Sequence, residues 1–219
     1  MLVTVSPPRR LVRSPPMRGL FVTFEGIDRS GKTTQARLLC DALGDEALGV
    51  REPGGTEVGE RVRELLKDPA VELTPESEAL LFAAARAELV TRVIGPALER
   101  GRVVVSDRFL DSSLAYQGAA RGLGVDEVEA INRFATGGLV PDLTLLLSID
   151  PSEAAARAGE SDRFEGEGAE LQERVLAAYE ELAAADPGRW RRIDAARPPE
   201  QVHADVLAEV EAARSGARA

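Results

Sequence analysis

The sequence contains few cysteine, histidine and aromatic residues. Of its 219 residues one is cysteine, one is histidine and 4% are aromatic. A single cysteine cannot form an internal disulfide, which indicates a reducing, cytoplasmic setting. Cys40 falls on the predicted first helix and is interpreted as a small buried hydrophobic residue. His203 falls on the predicted last helix, far from every motif, and is interpreted as a surface or packing residue rather than a catalyst.

The 27 basic residues are outnumbered by 37 acidic residues, and long apolar runs are scarce. The formal net charge is −10 and the pI is near 4.8. This balance argues against nucleic acid or an anionic membrane as a partner, because either would need a basic face. No apolar stretch approaches the roughly 20 residues that span a bilayer. Any polyanion that binds this chain is therefore expected to be small and held by a few arginines.

The chain shows no internal repeat and no low-complexity linker, so we expect one domain over residues 18–219. Residues 1–17 contain four prolines and a cluster of arginines. They lack the apolar core and cleavage site of a secretory signal. This segment is expected to be a disordered leader, or to precede a natural start at Met17.

Apolar, β-branched runs alternate with helical patterns along the chain. This alternation predicts a parallel sheet of about five strands covered by helices, an α/β architecture of three layers. The strands are predicted near 20–24, 48–52, 102–106, 143–149 and 191–194. The helices are predicted near 32–44, 57–67, 75–99, 110–119, 125–135, 151–158, 170–185 and 198–213.

Residues 26–33 fit the phosphate-binding template G-x-x-x-x-G-K-[ST] at every fixed position. The glycines let backbone N–H groups surround a β-phosphate, Lys32 adds a positive charge, and the Thr33 hydroxyl can hold Mg²⁺. A β-rich run precedes the template and a helical pattern follows it. That order places phosphate on a helix N-terminus, so the sequence predicts nucleoside triphosphate binding.

Charged residues follow the predicted strands at their carboxyl ends, where ligands collect in parallel sheets. These residues are Glu25, Glu52, Asp107, Arg108 and Asp150. We interpret Asp150 as the cap of the next helix. Asp107 is expected to act at the site, with a helix cap as the alternative.

Phe82 and Arg86 lie four residues apart on one predicted helix and therefore share a face. An aromatic ring and a guanidinium can together stack on and hydrogen-bond a flat base. The alternative is that Phe82 belongs to the core and Arg86 is a solvated tip.

Four stretches together resemble the thymidylate kinases, and the resemblance runs from about residue 18 to the C-terminal helix. The block Asp-Arg-x-x-x-Ser-Ser-x-Ala-Tyr-Gln-Gly, which begins at Asp107, is the most specific part. It separates this family from adenylate, uridylate and shikimate kinases. The stretches are Phe24-Glu-Gly-Ile-Asp-Arg-Ser-Gly-Lys-Thr-Thr-Gln35, Arg51-Glu-Pro-Gly-Gly-Thr56, Leu81-Phe-Ala-Ala-Ala-Arg86 and the segment from Ser106 to Gly118.

The resemblance implies a P-loop NTPase fold with a short mobile lid, and transfer of the ATP γ-phosphoryl to dTMP, giving dTDP and ADP. Mg²⁺ would be held by Thr33, and family members are usually homodimers. Asp28 and Glu25 would lie near the acceptor phosphate and metal, and Arg51 and Arg108 would grip that phosphate. The donor would be surrounded by Gly26, Ile27, Asp28, Arg29, Ser30, Gly31, Lys32, Thr33 and Thr34.

The resemblance also assigns the acceptor base and sugar. Phe82 would stack on thymine, and Arg86 would bond its edge. Tyr116 would crowd the sugar 2′ position and so favour deoxyribose. The remaining residues expected around the acceptor are Asp107, Ser113 and Gln117.

Several arginines could cancel charge on the transferring phosphoryl group. Arg29 lies in the phosphate loop, while Arg157 and Arg163 flank or lie in a glycine-rich, acidic segment at 158–168. That segment is interpreted as the lid. The catalytic set expected from the sequence is Asp28, Arg29, Lys32, Arg108 and Arg163. An alternative role for Arg29 is a salt bridge to Asp28 or Glu165.

Two other functions share parts of this pattern. A deoxynucleoside kinase acting on thymidine would share the loop, but it would not need two arginines for an acceptor phosphate. A P-loop switch or an inactive nucleotide-binding module would share the loop alone.

For the homodimer, the helix at 75–99 is the predicted interface, because Ala83, Ala84 and Ala85 would allow close approach.

Overall fold

The computed structural model describes residues 19–157 and 168–216. The predicted leader and nearly all of the predicted lid, including Arg163, lie outside the described residues. Within them, five parallel strands form one sheet in the order β2-β3-β1-β4-β5. The strands are β1 (Phe21–Glu25), β2 (Ala47–Arg51), β3 (Val103–Asp107), β4 (Leu143–Ser148) and β5 (Trp190–Asp194). The predicted parallel α/β sheet is confirmed.

The central strand β1 explains why the sheet needs helices on both faces. All five of its residues are buried, and it pairs with β3 and β4. Successive side chains of a strand point to opposite faces. Phe21 accordingly packs into one apolar cluster and Val22 into another. Each cluster lies between the sheet and a helical layer, which gives the three layers that the sequence predicts.

The predicted helices are present, with two local changes in winding. The helix predicted at 75–99 is interrupted by a π-helical turn at Val90–Ile94, and the helix predicted at 110–119 becomes π-helical over Leu114–Ala120. The helices are α1 (Lys32–Leu43), α2 (Glu57–Lys67), α3 (Pro75–Leu89), α4 (Gly95–Glu99), α5 (Leu110–Ser113), α6 (Val125–Thr136), α7 (Pro151–Ala156), α8 (Ala169–Ala185) and α9 (Pro199–Gly216).

Polar caps set the starts of several helices. The Thr74 hydroxyl accepts a hydrogen bond from the Ser77 N–H at 3.3 Å, directly before Pro75 at the first helical position. Asp150 Oδ1 accepts from the Ser152 N–H at 2.8 Å and caps α7. The interpretation of Asp150 as a helix cap is therefore confirmed.

The predicted alanine interface needs correction. Ala83 and Ala85 are buried within the protomer, at 5% and 3% exposure. Ala84 is exposed on α3, beside Leu80 at 55% exposure. Ala83 and Ala85 are buried because α3 packs against α2 and α6 of the same chain.

Among residues 19–157 and 168–216, no helix is long and apolar enough to cross a membrane.

Candidate active site

The phosphate loop is shaped by two glycines with positive φ. Gly26 has φ of 141° and Gly31 has φ of 99°. A Cβ at Gly26 would lie 2.6 Å from the Leu147 carbonyl oxygen, so the loop could not approach the sheet with a larger residue there. α1 begins at Lys32, directly after Gly31. The loop therefore leads into a helix N-terminus, whose unpaired N–H groups bind phosphate.

Lys32 is folded against the inside of this loop. Its Nζ donates to the Ile27 carbonyl at 2.6 Å, to the Gly26 carbonyl at 3.1 Å and to the Ser30 hydroxyl at 3.3 Å. Burial, with the nearby charge of Arg108, lowers the pKa of Lys32 to about 8. A phosphate in the loop would compensate for the lost hydration of this ammonium group.

Thr33 and Asp107 lie side by side at the mouth of the loop. The Thr33 hydroxyl donates to Asp107 Oδ2 at 2.5 Å. The cap of the next helix is Phe109, so the alternative interpretation of Asp107 as a helix cap is wrong. A hydroxyl beside a carboxylate gives two oxygen ligands, which suits Mg²⁺ because this ion keeps several of its waters. The residues present therefore fit the metal.

Arg108 follows β3 in a left-handed backbone conformation, with φ of 69°. For a residue with a Cβ this costs about 1–2 kcal/mol, and two hydrogen bonds stabilise it. The Arg108 N–H donates to the Phe24 carbonyl at 3.0 Å, and the Arg108 carbonyl accepts from the Ser106 hydroxyl at 2.6 Å. Backbone strain of this kind is typical of functional sites.

The Arg108 guanidinium pairs with Asp28 of the phosphate loop at 2.5 Å. It also donates to the Ser112 hydroxyl at 3.0 Å and to the Tyr116 hydroxyl at 3.3 Å. Burial would raise the pKa of Asp28, but the charges of Arg108 and Lys32 outweigh it and lower that pKa. Asp28 is therefore a carboxylate that orients Arg108 toward the site.

Glu25, at the end of β1, is completely buried beneath Arg108. Its carboxyl accepts from the Phe109 N–H at 2.8 Å, the Ser112 hydroxyl at 2.6 Å and the Tyr179 hydroxyl at 2.8 Å. Burial raises the pKa of Glu25 to about 7, and the charge of Asp111 adds to that rise. Glu25 therefore fixes the position of the segment after β3 through its hydrogen bonds to Phe109 and Ser112.

Arg86 belongs to a buried polar cluster in the wall of a cavity that Phe82 also lines. It is 1% exposed, so the alternative of a solvated tip is wrong. Its Nε donates to Glu52 Oε2 at 2.7 Å, and its Nη1 donates to the Ser113 hydroxyl at 3.1 Å. Further donations go to the Asn132 amide oxygen and the Phe109 carbonyl. An oxygen atom of a bound base could accept from Arg86 only through an N–H group that already donates to one of these acceptors.

A cavity of about 430 Å³ brings the predicted acceptor residues together. Phe82 is half-buried on its wall, and Arg86 and Tyr116 reach it from α3 and the π-helical turn. Arg51, at its rim, pairs with Glu60 at 3.0 Å. The predicted residues that line this cavity are Asp28, Arg29, Lys32, Thr33, Arg51, Phe82, Arg86, Asp107, Arg108, Ser113, Tyr116 and Gln117.

A second cavity of about 500 Å³ lies on the other side of the phosphate loop. Its wall includes Thr34 from the loop, together with Arg157, Ala195 and Arg197. Lining residues common to both cavities are Arg29, Lys32 and Thr33. A group that moves from one cavity to the other would therefore pass the loop lysine and threonine.

Comparison with known proteins identifies the family. The model of the family described as "Thymidylate kinase" matches residues 24–206. The chain belongs to the thymidylate kinase family. Members of this family are nucleoside monophosphate kinases, which use ATP as phosphate donor.

Individual relatives agree with the family match. The chain is 52% identical over 203 residues to "Thymidylate kinase" of Pelotomaculum thermopropionicum, covering 89% of this chain and 94% of that protein. It is 48% identical over 199 residues to "Thymidylate kinase" of Deinococcus radiodurans, covering 88% and 97%. The crystal structure of thymidylate kinase from Ehrlichia chaffeensis matches with a TM-score of 0.73 and 33% identity, covering 88% of this chain and 99% of that one.

The structure separates the positions of the candidate catalytic arginines. Arg29 Nη1 donates to the Ala155 carbonyl at 3.2 Å, and Arg29 lines both cavities. Arg157 lines only the second cavity and donates to the carbonyls of Arg29, Ser30 and Ala195. Arg163, Glu165 and the possible Arg29–Glu165 salt bridge fall outside the described residues. Asp28, the other partner suggested for Arg29, pairs with Arg108 instead.

Two residues of α8 were not expected from the thymidylate kinase motifs. Gln172 hydrogen-bonds Asp28, and Tyr179 hydrogen-bonds Glu25 and Arg108. They are seven residues apart, which places them two turns apart on one helix face. The sequence therefore shows that Gln172 and Tyr179 share a helix face. The sequence of the helix does not show which residues that face contacts.

Proposed function

We propose that this chain transfers the γ-phosphoryl group of ATP to dTMP, giving dTDP and ADP. One observation carries the proposal: the phosphate-loop cavity and the acceptor cavity meet at Arg29, Lys32 and Thr33. A donor in one cavity and an acceptor in the other would therefore place their phosphates at a common point. Phosphoryl transfer depends mainly on such alignment and on cancelling the charge of the moving group.

On the donor side, the loop amides and Lys32 would bind the β- and γ-phosphates. Thr33 and Asp107 would hold Mg²⁺, which supplies charge neutralisation across the donor phosphates. Lys32 already contacts three loop acceptors, so it is held near the position that a phosphate would take. Holding a cation in place before the reaction lowers the cost of organising the site.

On the acceptor side, Arg108 and Arg51 would bind the dTMP phosphate. Asp28 pairs with the Arg108 guanidinium, and Glu60 pairs with Arg51, so a carboxylate orients each arginine. Phe82 would stack on the thymine ring, with Ser113 and Gln117 as polar contacts to the base. Tyr116, whose hydroxyl is tied to Arg108, would lie against the sugar.

The alternative of a thymidine kinase is less well supported. The acceptor cavity is lined by Arg51 and Arg108, and also by Arg63 and Lys67 at its rim. A neutral nucleoside would not need this concentration of positive charge. The alternative of a P-loop switch does not account for the 430 Å³ acceptor cavity, whose wall contains the half-buried ring of Phe82.

A coupled ADP-release assay tests the proposed reaction. Mg-ATP would be supplied with dTMP, dUMP, thymidine, UMP, dCMP or AMP, one acceptor at a time. We expect fast turnover with dTMP and slower turnover with dUMP, because a methyl group is worth about 1–3 kcal/mol in such a pocket. Turnover with thymidine but not dTMP would overturn the arginine clamp, and ADP release without acceptor dependence would favour the switch.

We also propose that the chain forms a homodimer through the outer face of α3. Leu80 is 55% exposed and Ala84 is exposed on this helix, which leaves apolar surface uncovered. Sedimentation at micromolar concentration tests the proposal, with Leu80→Glu as the variant that should dissociate the pair. A wild-type monomer at that concentration would overturn it.

A further inference from the structure

A buried carboxylate lies behind the wall of the acceptor cavity. Glu78, on α3, is 1% exposed and does not belong to any of the motifs. Its Oε1 accepts from the Arg121 Nε at 2.7 Å and from the Gln117 Nε2 at 2.9 Å. One carboxylate oxygen therefore receives a charged donor and an amide donor together.

This contact determines how the Gln117 amide is turned. A carboxylate beside a guanidinium has only acceptors to offer, so the Gln117 NH₂ must point toward Glu78. A flipped amide would place its carbonyl oxygen against the Glu78 oxygen, which is repulsive. Within the described part of the chain, no group donates to Gln117 Oε1, and Gln117 lines the acceptor cavity. Gln117 Oε1 can therefore act as a hydrogen-bond acceptor for a ligand in this cavity.

Thymine and cytosine differ at N3, the ring position to which the Gln117 acceptor would bind. Thymine and uracil carry a hydrogen on N3, whereas cytosine N3 is an acceptor and its exocyclic amine is a donor. An acceptor aimed at N3 therefore attracts thymine and repels cytosine. The positive charge of Arg86 on the same wall likewise suits a carbonyl better than an amine.

We propose that Glu78 is a positioning residue that fixes the Gln117 amide and thereby excludes cytosine nucleotides from the acceptor cavity. The role is indirect, since Glu78 acts through Gln117. This inference rests on the proposed function, because it takes the 430 Å³ cavity as the site of the acceptor base.

The test compares how well dTMP and dCMP bind to the intact protein. Calorimetric titrations would measure both dissociation constants without ATP, for wild type, Glu78→Gln and the double variant E78Q/R121Q. The double variant removes both charges of the Glu78–Arg121 pair, so neither of these two charges is left without the other. An amide at position 78 can donate as well as accept, so Gln117 would no longer be held in one orientation. We expect the preference for dTMP to fall roughly tenfold, the value of about one hydrogen bond.

A matched control and two contrary results complete the design. Glu76→Gln makes the same chemical change on the exposed side of α3 and should preserve the preference. The KM for ATP should be unchanged in every variant, which a general loss of structure would not allow. A folded double variant with the wild-type preference would overturn the proposal. A double variant that does not fold would assign the pair to stability and would overturn it as well.

The proposed function can fail separately from this inference. Wild-type protein that binds dTMP but does not phosphorylate it would overturn the reaction. The binding preference of the Glu78 variants would still decide the role of Glu78.

Discussion

Gln172 holds Asp28 through both atoms of its side-chain amide. Gln172 Oε1 accepts from the Asp28 N–H at 3.2 Å, and Gln172 Nε2 donates to Asp28 Oδ2 at 2.9 Å. The two residues are 144 positions apart in the sequence. This paired contact ties the first residues of α8 to the phosphate loop, and through Asp28 it reaches Arg108.

The first prediction concerns this tie. Gln172→Ala should lower kcat roughly tenfold, because two hydrogen bonds that orient Asp28 are lost. Gln172→Glu should be worse, since a carboxylate cannot donate to Asp28 and would repel it. Steady-state kinetics with dTMP and ATP measure the effect. Glu173→Ala, on the exposed face next to Gln172, is the control and should behave like wild type.

The second prediction concerns the proposed role of Arg108 in binding the acceptor phosphate. Arg108→Ala should lower kcat/KM for dTMP by roughly a hundredfold or more, because a charged donor to the acceptor phosphate is removed. Arg108→Lys should recover only part of this loss, since it keeps the charge but lacks the guanidinium fork. The KM for ATP should change little in both. Equal losses for the two nucleotides would instead indicate a collapse of the loop around Asp28.

The third prediction distinguishes Arg29 from Arg157. Arg29→Ala should lower kcat by roughly a hundredfold with little change in the KM for dTMP, because Arg29 lies where the two cavities meet. Arg157→Ala should mainly raise the KM for ATP, because Arg157 supports the loop carbonyls from the donor side. An unchanged kcat in Arg29→Ala would move the role to Arg157 or Arg163.

The fourth prediction concerns stability and pH. The pKa of Glu25 is about 7 in the folded protein, against 4.5 for an ordinary glutamate. Between these values the folded state binds the proton more tightly than the unfolded state. The free energy of unfolding should therefore fall as pH rises from about 4.5 to about 7. Urea unfolding across this range measures the fall. Glu25→Gln should flatten it, whereas Glu181→Gln, on the exposed surface of α8, should not.

The fifth prediction concerns donor binding at high pH. Because the pKa of Lys32 is lowered to about 8, the free protein loses this charge in alkaline solution. The affinity for ADP should therefore fall as pH rises above about 8, and the fall should be absent in Lys32→Met. Titrations between pH 7 and 9.5 would measure both. A wild-type affinity that stays constant to pH 9.5 would contradict the lowered pKa.

Local signals in the sequence were sufficient for the elements and for the donor loop. The strands and the loop from Gly26 to Thr33 were predicted, because their periodicity and glycine spacing are properties of short segments. The placement of Glu25 and Asp107 on one edge followed from parallel strands ending together. The π-helical turn at Leu114–Ala120 was not predicted, because such turns carry no simple periodic pattern.

The amino-acid sequence by itself determined the α/β fold, the phosphate loop and the family of this protein. The tertiary structure alone decided which polar groups pair inside the site. It placed Arg86 against Glu52, Asp28 between Arg108 and Gln172, and Glu78 behind Gln117. Such pairs join residues far apart in the chain, and burial makes each partner necessary to the other. That necessity arises only once the helices have packed against the sheet.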